Sequence, residues 1–340
     1  MPEDIRPAEL VLAAAIARRF YVDGVSKVDI AQEFGLSRFK VARILTDARE
    51  RGLVRVDIRL PGSIDGDLSA ALREVLGLRR AIVLDHPAEP EASLRQHLAE
   101  VTADLLAEIV VDGDVLGLTW SRTLEATNAA LTRLARCTVV QLAGTLARAQ
   151  HDDAGTVEMV RRAAAVGGGR AYAIYAPLVV PDAATAASLR GQPGIADALG
   201  CFGDLTKAVV SIGHWSPHHS TVWEAVSDGD RGRYRDLGAC AEVSGRLIDA
   251  DGNALRTDLD DRLIAISVDQ LRAVPEVVAI SAGAARAEAV EAVVRAGFVT
   301  TLVTDATCAR AVLQALGRDV PPEPDGAPVP ADVPTTTGQG

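Results

Sequence analysis

Two groups of residues in this chain have the types and spacing that recognition chemistry requires. The first runs from Lys27 to Leu45 and holds Lys27, Ser37, Arg38, Phe39, Lys40 and Arg43. Arg38 or Arg43 can grip the edge of a guanine with two hydrogen bonds, and Lys40 and Ser37 suit phosphate oxygens. The second is Gly117-Leu118-Thr119-Trp120-Ser121-Arg122-Thr123, read as a strand running into a helix. Three hydroxyls and a guanidinium at a helix N-terminus can cradle a phosphate, aided by backbone N–H groups and the helix dipole. The same residues also fit a plain helix cap with Arg122 in solvent.

Further candidates stand at other strand exits: Gln141 with Gly144, Gly213 with His214, and the stretch from Glu242 to Gly252. Glu242 and Asp249 either accept hydrogen bonds from sugar hydroxyls or are ordinary solvated carboxylates. Arg286, after Ala282-Gly283-Ala284-Ala285, is either a second anion-binding group or a surface arginine. Pro217 separates His214 from His218, so they do not share a continuous helix. With no clear third ligand, we expect neither metal nor cofactor.

These groups need positioning elements. Residues 8–60 read as three helices followed by a strand pair, or wing, at 53–60. Leu10, Ala13, Ala14 and Ala17 give the first helix its apolar spacing. Ser26 and Ser37 stand where N-caps belong, and Gly35 suits a tight interhelical turn. Ile30, Leu36, Val41, Ile44 and Leu45 supply the packed face of a helix-turn-helix, leaving the cationic residues outside. Pro61-Gly62 marks a boundary, and Leu68, Leu72, Val75 and Leu76 form an amphipathic linker helix within 61–78. Beyond it, β-rich runs at 81–84, 115–118, 138–142, 171–174, 208–212, 277–280 and 300–303 alternate with helical patterns at 94–110, 124–134, 284–296 and 307–316. That alternation predicts an α/β fold, with a mainly parallel, Rossmann-like sheet spanning 79–318. Residues 319–340, rich in Pro, Thr and Gly, read as a disordered tail.

Composition limits the function classes. A chain of 340 residues, 48% hydrophobic, accommodates two domains. The net charge of −11 argues against a protein coated in nucleic acid. The first sixty residues, however, carry eleven Lys/Arg against nine Asp/Glu, so any DNA contact belongs to that end. Four scattered cysteines without a CxxC pair suit a reducing compartment. No apolar run spans a bilayer and Met1-Pro2-Glu3-Asp4 lacks a signal-peptide pattern, so we expect a cytoplasmic protein with no membrane partner.

Taken together, the chain resembles the SorC family of bacterial sugar-responsive transcription regulators over about residues 8–317. The likeness rests on Ala48-Arg49-Glu50-Arg51-Gly52-Leu53-Val54, Gly117-Leu118-Thr119-Trp120 and Val139-Val140-Gln141-Leu142-Ala143-Gly144. It extends to Gly245-Arg246-Leu247-Ile248-Asp249-Ala250-Asp251-Gly252 and Leu302-Val303-Thr304-Asp305. The resemblance implies an effector domain related in fold to glucosamine-phosphate deaminases and ribose-phosphate isomerases. It also implies a phosphorylated sugar or polyol effector, an operator in double-stranded DNA, and homodimers or homotetramers. It makes Thr119, Trp120, Ser121 and Thr123 the phosphate loop. The chain departs from the family pattern with Ser121 for a common glycine, Arg286 for a frequent lysine and Ala143 for a frequent polar residue. The alternative is a sugar-phosphate isomerase or deaminase carrying a helix-turn-helix, with Glu242, Asp249 or His214 as base.

Overall fold

The computed structural model describes residues 7–54, 64–85, 91–146 and 155–322. They belong to two bodies, one ending at residue 59 and the other beginning at residue 60.

The first body contains α1 (Pro7–Tyr21), α2 (Lys27–Glu33) and α3 (Arg38–Glu50). Ser26 accepts from the Asp29 amide at 3.3 Å and Ser37 from the Lys40 amide at 3.2 Å, so each hydroxyl satisfies an orphan donor of the helix it starts. Gly35 turns the chain between α2 and α3 at φ +63°, a conformation glycine adopts without steric cost. Ile16, Ile30, Val41 and Leu45 close a small core, with Leu36 and Ile44 packed at its margin. The buried stripe of α1 is Leu12, Ile16, Ala17 and Phe20, whereas Leu10 and Ala14 face solvent. The helix is apolar nearly all round, so sequence spacing alone left its phase open. The expected wing falls mostly outside the described residues, as does the boundary at 61–62.

The second body is built on a seven-stranded sheet. In chain order its strands are β1 (Arg80–Leu84), β2 (Val115–Leu118), β3 (Thr138–Gln141), β4 (Ala171–Tyr172) and β5 (Lys207–Ser211). Three strands of a second sheet follow: β6 (Gly213–His214), β7 (Ala239–Val243) and β8 (Arg246–Asp249). The chain then returns to the first sheet as β9 (Glu276–Ile280) and β10 (Thr301–Asp305). The large sheet runs β1-β10-β9-β5-β2-β3-β4, with every neighbouring pair parallel.

Parallel strands must be covered on both faces, and the side chains divide by the two-residue period of a strand. Val209, Val278, Ile280 and Val303 share one core with Leu98, Leu106, Leu124 and Val160, which lie on α5 (Glu91–Ile109), α6 (Arg122–Ala130) and α7 (Gly155–Gly167). α4 (Gly66–Leu76) precedes β1, and its Leu68 and Leu72 enter the opposite core with Ala208, Val210, Val277 and Leu302. The amphipathic segment at 61–78 thus contributes two fully buried leucines to the second body.

Short helices fill the rest of the chain: α8 (Ala183–Arg190), α9 (Pro193–Gly200), α10 (Thr221–Ala225), α11 (Asp228–Asp236), α12 (Asp258–Arg262) and α13 (Val268–Ala273). α14 (Ala287–Arg295) follows a 3-10 turn at Ala284–Arg286, and α15 (Ala306–Ala315) ends the fold. Val320 packs against the core and Arg310 donates to the Pro321 carbonyl at 2.7 Å, so these residues of the expected tail are held. The remainder of the tail, from 323, lies outside the described residues.

Leu72→Ala removes a fully buried side chain between α4 and the sheet. It should cost about 2–5 kcal/mol, read in urea denaturation as a lowered midpoint at unchanged slope.

Candidate functional site

The order of the large sheet creates the site. From β2 the chain builds outward to β3 and β4, then returns to lay β5 against the other side of β2 and continues to β9 and β10. Where build direction reverses, the connections diverge and leave a crevice at the carboxyl ends. A cavity of about 340 Å³ occupies that end, lined by the exits of β2, β3, β5 and β9.

The β2 exit supplies Thr119, Trp120, Ser121, Arg122 and Thr123. Thr119 is pinned to the neighbouring strand, with its amide 3.1 Å and its hydroxyl 3.4 Å from the Val209 carbonyl. Ser121 caps α6 by accepting from the Leu124 amide at 3.1 Å. The cap leaves its own O–H free to donate, and the first amides of α6 have no acceptor within the helix. The cap and the anion cradle are therefore compatible uses of one loop.

Arg286 enters from the β9 side and also lines the cavity. Its Nη1 donates to the Ala282 carbonyl at 2.6 Å. Burial and the nearby Arg122 cation lower its pKa, while Glu91 opposes that shift. A guanidinium so placed gains from an anion that neutralises it. Arg95, also on the lining, is paired with Glu91 at 2.7 Å.

The small antiparallel sheet, in the order β6-β7-β8, supplies the opposite chemistry. Glu242 lies in register with Gly213 and is buried, accepting from Ser220 Oγ at 3.1 Å and from the Gly245 amide at 3.0 Å. A Cβ on residue 213 would stand 2.6 Å from Glu242 Oε1, so glycine there makes room for the carboxyl. Burial raises the Glu242 pKa, against the Gly245 amide and the Ser220 hydroxyl. Ser244 (φ +54°) and Gly245 (φ +84°) form the two-residue turn between β7 and β8, and both line the cavity. Two successive positive φ values are the type I′ hairpin geometry.

Among the described residues, three buried polar atoms on the lining lack a hydrogen-bond partner: His219 Nδ1, Ser244 Oγ and Ser281 Oγ. They come from three separate segments. Buried polar atoms are rarely left so, and their convergence on one cavity suits a ligand with several hydroxyls.

Of the residues singled out in the sequence, Thr119 to Thr123, Gly144, Gly213, Glu242 and Arg286 line the cavity. Gly144 is required by close packing, since a Cβ would come within 2.6 Å of the Ala176 and Pro177 carbonyl oxygens. Gly117, Gln141, His214 and Asp249 are not on the lining. Gly117 packs under Leu142, where a Cβ would meet Cδ2 at 2.6 Å. Gln141 donates to the Ala143 carbonyl at 2.6 Å and accepts from the Ile174 amide at 3.0 Å, which ties together the segments following β3 and β4. Asp249 accepts from the Asp251 and Asn253 amides and so organises its own turn. His214 Nδ1 lies 2.7 Å from Ser216 Oγ, and the ring is directed at Glu288. Sequence reasoning missed Ser220, Ser244 and Ser281 on the lining. For the hairpin, the available signal was Ser244-Gly245 between two apolar-alternating runs.

In the first body, Arg38, Phe39, Lys40 and Arg43 are exposed on α3. Lys27 lies over the Phe20 ring at 5.1 Å, and Ser37 is the cap already described.

Residues 63–314 match the family described as "Putative sugar-binding domain". The chain belongs to this family. It is 29% identical over 296 residues to the uncharacterized transcriptional regulator YjhU of Escherichia coli strain K12, covering 84% of this chain and 89% of that one. It is likewise 29% identical over 323 residues to the transcriptional regulator LsrR of Klebsiella pneumoniae, covering 90% and 94%. The full-length sorbitol operon regulator SorC of Klebsiella pneumoniae has the same fold, with a TM-score of 0.68 at 18% identity over 90% of this chain and 99% of that one. Among the described residues, no helix is long and apolar enough to cross a membrane.

Because Glu242 holds its proton more tightly in the folded chain than in the unfolded one, folding is favoured where it is protonated. Stability from this group falls as pH rises from about the ordinary value of 4.5 through the raised one. Glu242→Gln, neutral throughout, should therefore gain on the wild type as pH rises through that window, measured by denaturation at several pH values.

Proposed function

We propose that this regulator of carbohydrate metabolism is controlled by a small phosphorylated sugar or polyol held in the cavity. The single observation that carries the reading is the convergence of the Thr119–Thr123 loop and Arg286 on one cavity that also contains the Glu242 pocket. The loop and Arg286 would hold the phosphate. Glu242, Ser220 and Ser244 would meet hydroxyls at the other pole. Two relatives, YjhU and LsrR, support a regulatory role, since both are transcriptional regulators. α3 would enter the major groove of an operator, and paired subunits would space half-sites about 34 Å apart or at a multiple of it. The working form is a cytoplasmic homodimer or homotetramer in which the effector favours one subunit arrangement. Its leverage equals its differential affinity for the two arrangements.

The reading predicts no turnover. Two of the three candidate bases for an isomerase, His214 and Asp249, are off the cavity lining, and both carboxylate oxygens of Glu242 already accept hydrogen bonds. Incubation with ribose 5-phosphate and glucosamine 6-phosphate, followed by NMR, should show no product.

A thermal-shift screen of sugars, polyols and their phosphates tests the cavity. At least one phosphate ester should raise the Tm with a logarithmic dependence on concentration. Arg286→Ala should weaken that ester about 10- to 100-fold while affecting its unphosphorylated parent far less. Equal weakening of both would remove Arg286 from the phosphate pole. Arg43→Ala should reduce operator binding in a gel-shift titration and leave the thermal shift intact.

A further inference from the structure

Phe39 is 87% exposed, the highest value among the exposed large apolar residues described. It sits in the first turn of α3, where a core-forming side chain has no use, and it is not part of the helix-turn-helix core. Helix geometry fixes its direction. Counted at about 100° per residue, Phe39 and Arg43 each lie about 160° around from the buried Val41, on the side opposite the core. Arg38 and Lys40 lie on the two flanks, about 60° and 100° from Val41 in opposite senses. Phe39 and Arg43 are four residues apart and so share one column of the outer face. Thr46, the next residue on that side, spends its hydroxyl on the Ala42 carbonyl at 3.2 Å.

A phenyl ring ringed by three cations is a poor surface for an apolar protein partner. Arg38, Lys40 and Arg43 are exposed, so docking an apolar face there would cover three cations without supplying opposite charge. A polyanion removes that penalty. On the major-groove edges of DNA, the apolar group available to a ring is the C5-methyl of thymine. We infer that Phe39 reads a thymine methyl beside the base gripped by Arg43, with Arg38 and Lys40 holding the flanking phosphates. The inference rests on the reading of α3 as the major-groove helix and adds the base that its apolar side chain selects. It also divides the two arginines by role, Arg43 to a base and Arg38 to the backbone.

The test uses the full chain and a duplex it selects from a random-sequence DNA pool. Each thymine of the selected site is replaced in turn by deoxyuridine, which deletes only the methyl, and affinity is read by fluorescence anisotropy. One position per half-site should lose about three- to fivefold with the wild type. Phe39→Ala, which removes an exposed side chain and leaves the core untouched, should lose affinity for the thymine duplex and respond equally to thymine and deoxyuridine there. Lys40→Ala should weaken both duplexes alike and keep the methyl sensitivity. If Phe39→Ala retains the wild-type methyl sensitivity, or no thymine position is sensitive, the assignment of Phe39 fails while the regulator reading stands. If no sequence is selected at all, the major-groove reading of α3 fails with it.

Discussion

The second body depends on one topological constraint: β5 must pair with β2 on the side away from β3. Seven parallel strands leave their connections at both ends, and only where the order of building reverses do two neighbouring exits turn apart. Thr119 fixes this point, its amide and hydroxyl both directed at the Val209 carbonyl of β5. At the opposite end of the same strand pair, Lys207 meets the buried Asp114 at 2.8 Å, and Thr206 donates to that carboxylate at 2.7 Å. The two anchors hold β2 against β5 along its length, and the crevice between their exits is a consequence.

The cavity is electrostatically divided. One pole presents the first turn of α6 and Arg286; the other presents a carboxyl that burial drives toward its neutral form. His219 faces the same space, and burial together with Arg286 lowers its pKa, so its ring is biased toward the neutral form. A neutral imidazole and a proton-retaining carboxyl can each donate and accept, which suits hydroxyl groups more than a second anion. Backbone strain is found here too. Ser244 and His218 are the non-glycine residues described with positive φ, and both lie on this lining. Such conformations persist where the surroundings over-determine them.

Most of the sheet was legible because buried parallel strands are continuous apolar runs, and all seven expected runs became strands of the large sheet. The helix-turn-helix was legible for a different reason: Ser26, Gly35 and Ser37 are punctuation whose meaning is local. What sequence did not yield was long-range or small. β6 has two residues, and its pairing with β7 joins Gly213 to Glu242 across some thirty residues of intervening chain. The helices between Gly155 and Ala273 are mostly short, and polar ones such as α11 show no apolar stripe. Gln141 and Asp249 looked like ligand groups because a strand exit is where ligands bind. Which side a polar side chain takes at that exit is set by hydrogen bonds to backbone that sequence does not display. Ser220, Ser244 and Ser281 raised no expectation singly, and their convergence exists only in the fold.

The central claim is that occupancy of this cavity and grip on DNA are two ends of one equilibrium. Linkage demands that an effector and an operator change each other's affinity by the same factor. The decisive measurement takes a phosphate ester found to stabilise the full chain and an operator fragment from upstream of the chain's own gene. It compares the operator Kd with and without saturating ester, and the ester Kd with and without operator. The account predicts two equal factors, both well away from one. An ester that binds the cavity tightly yet leaves the operator Kd unmoved would contradict it.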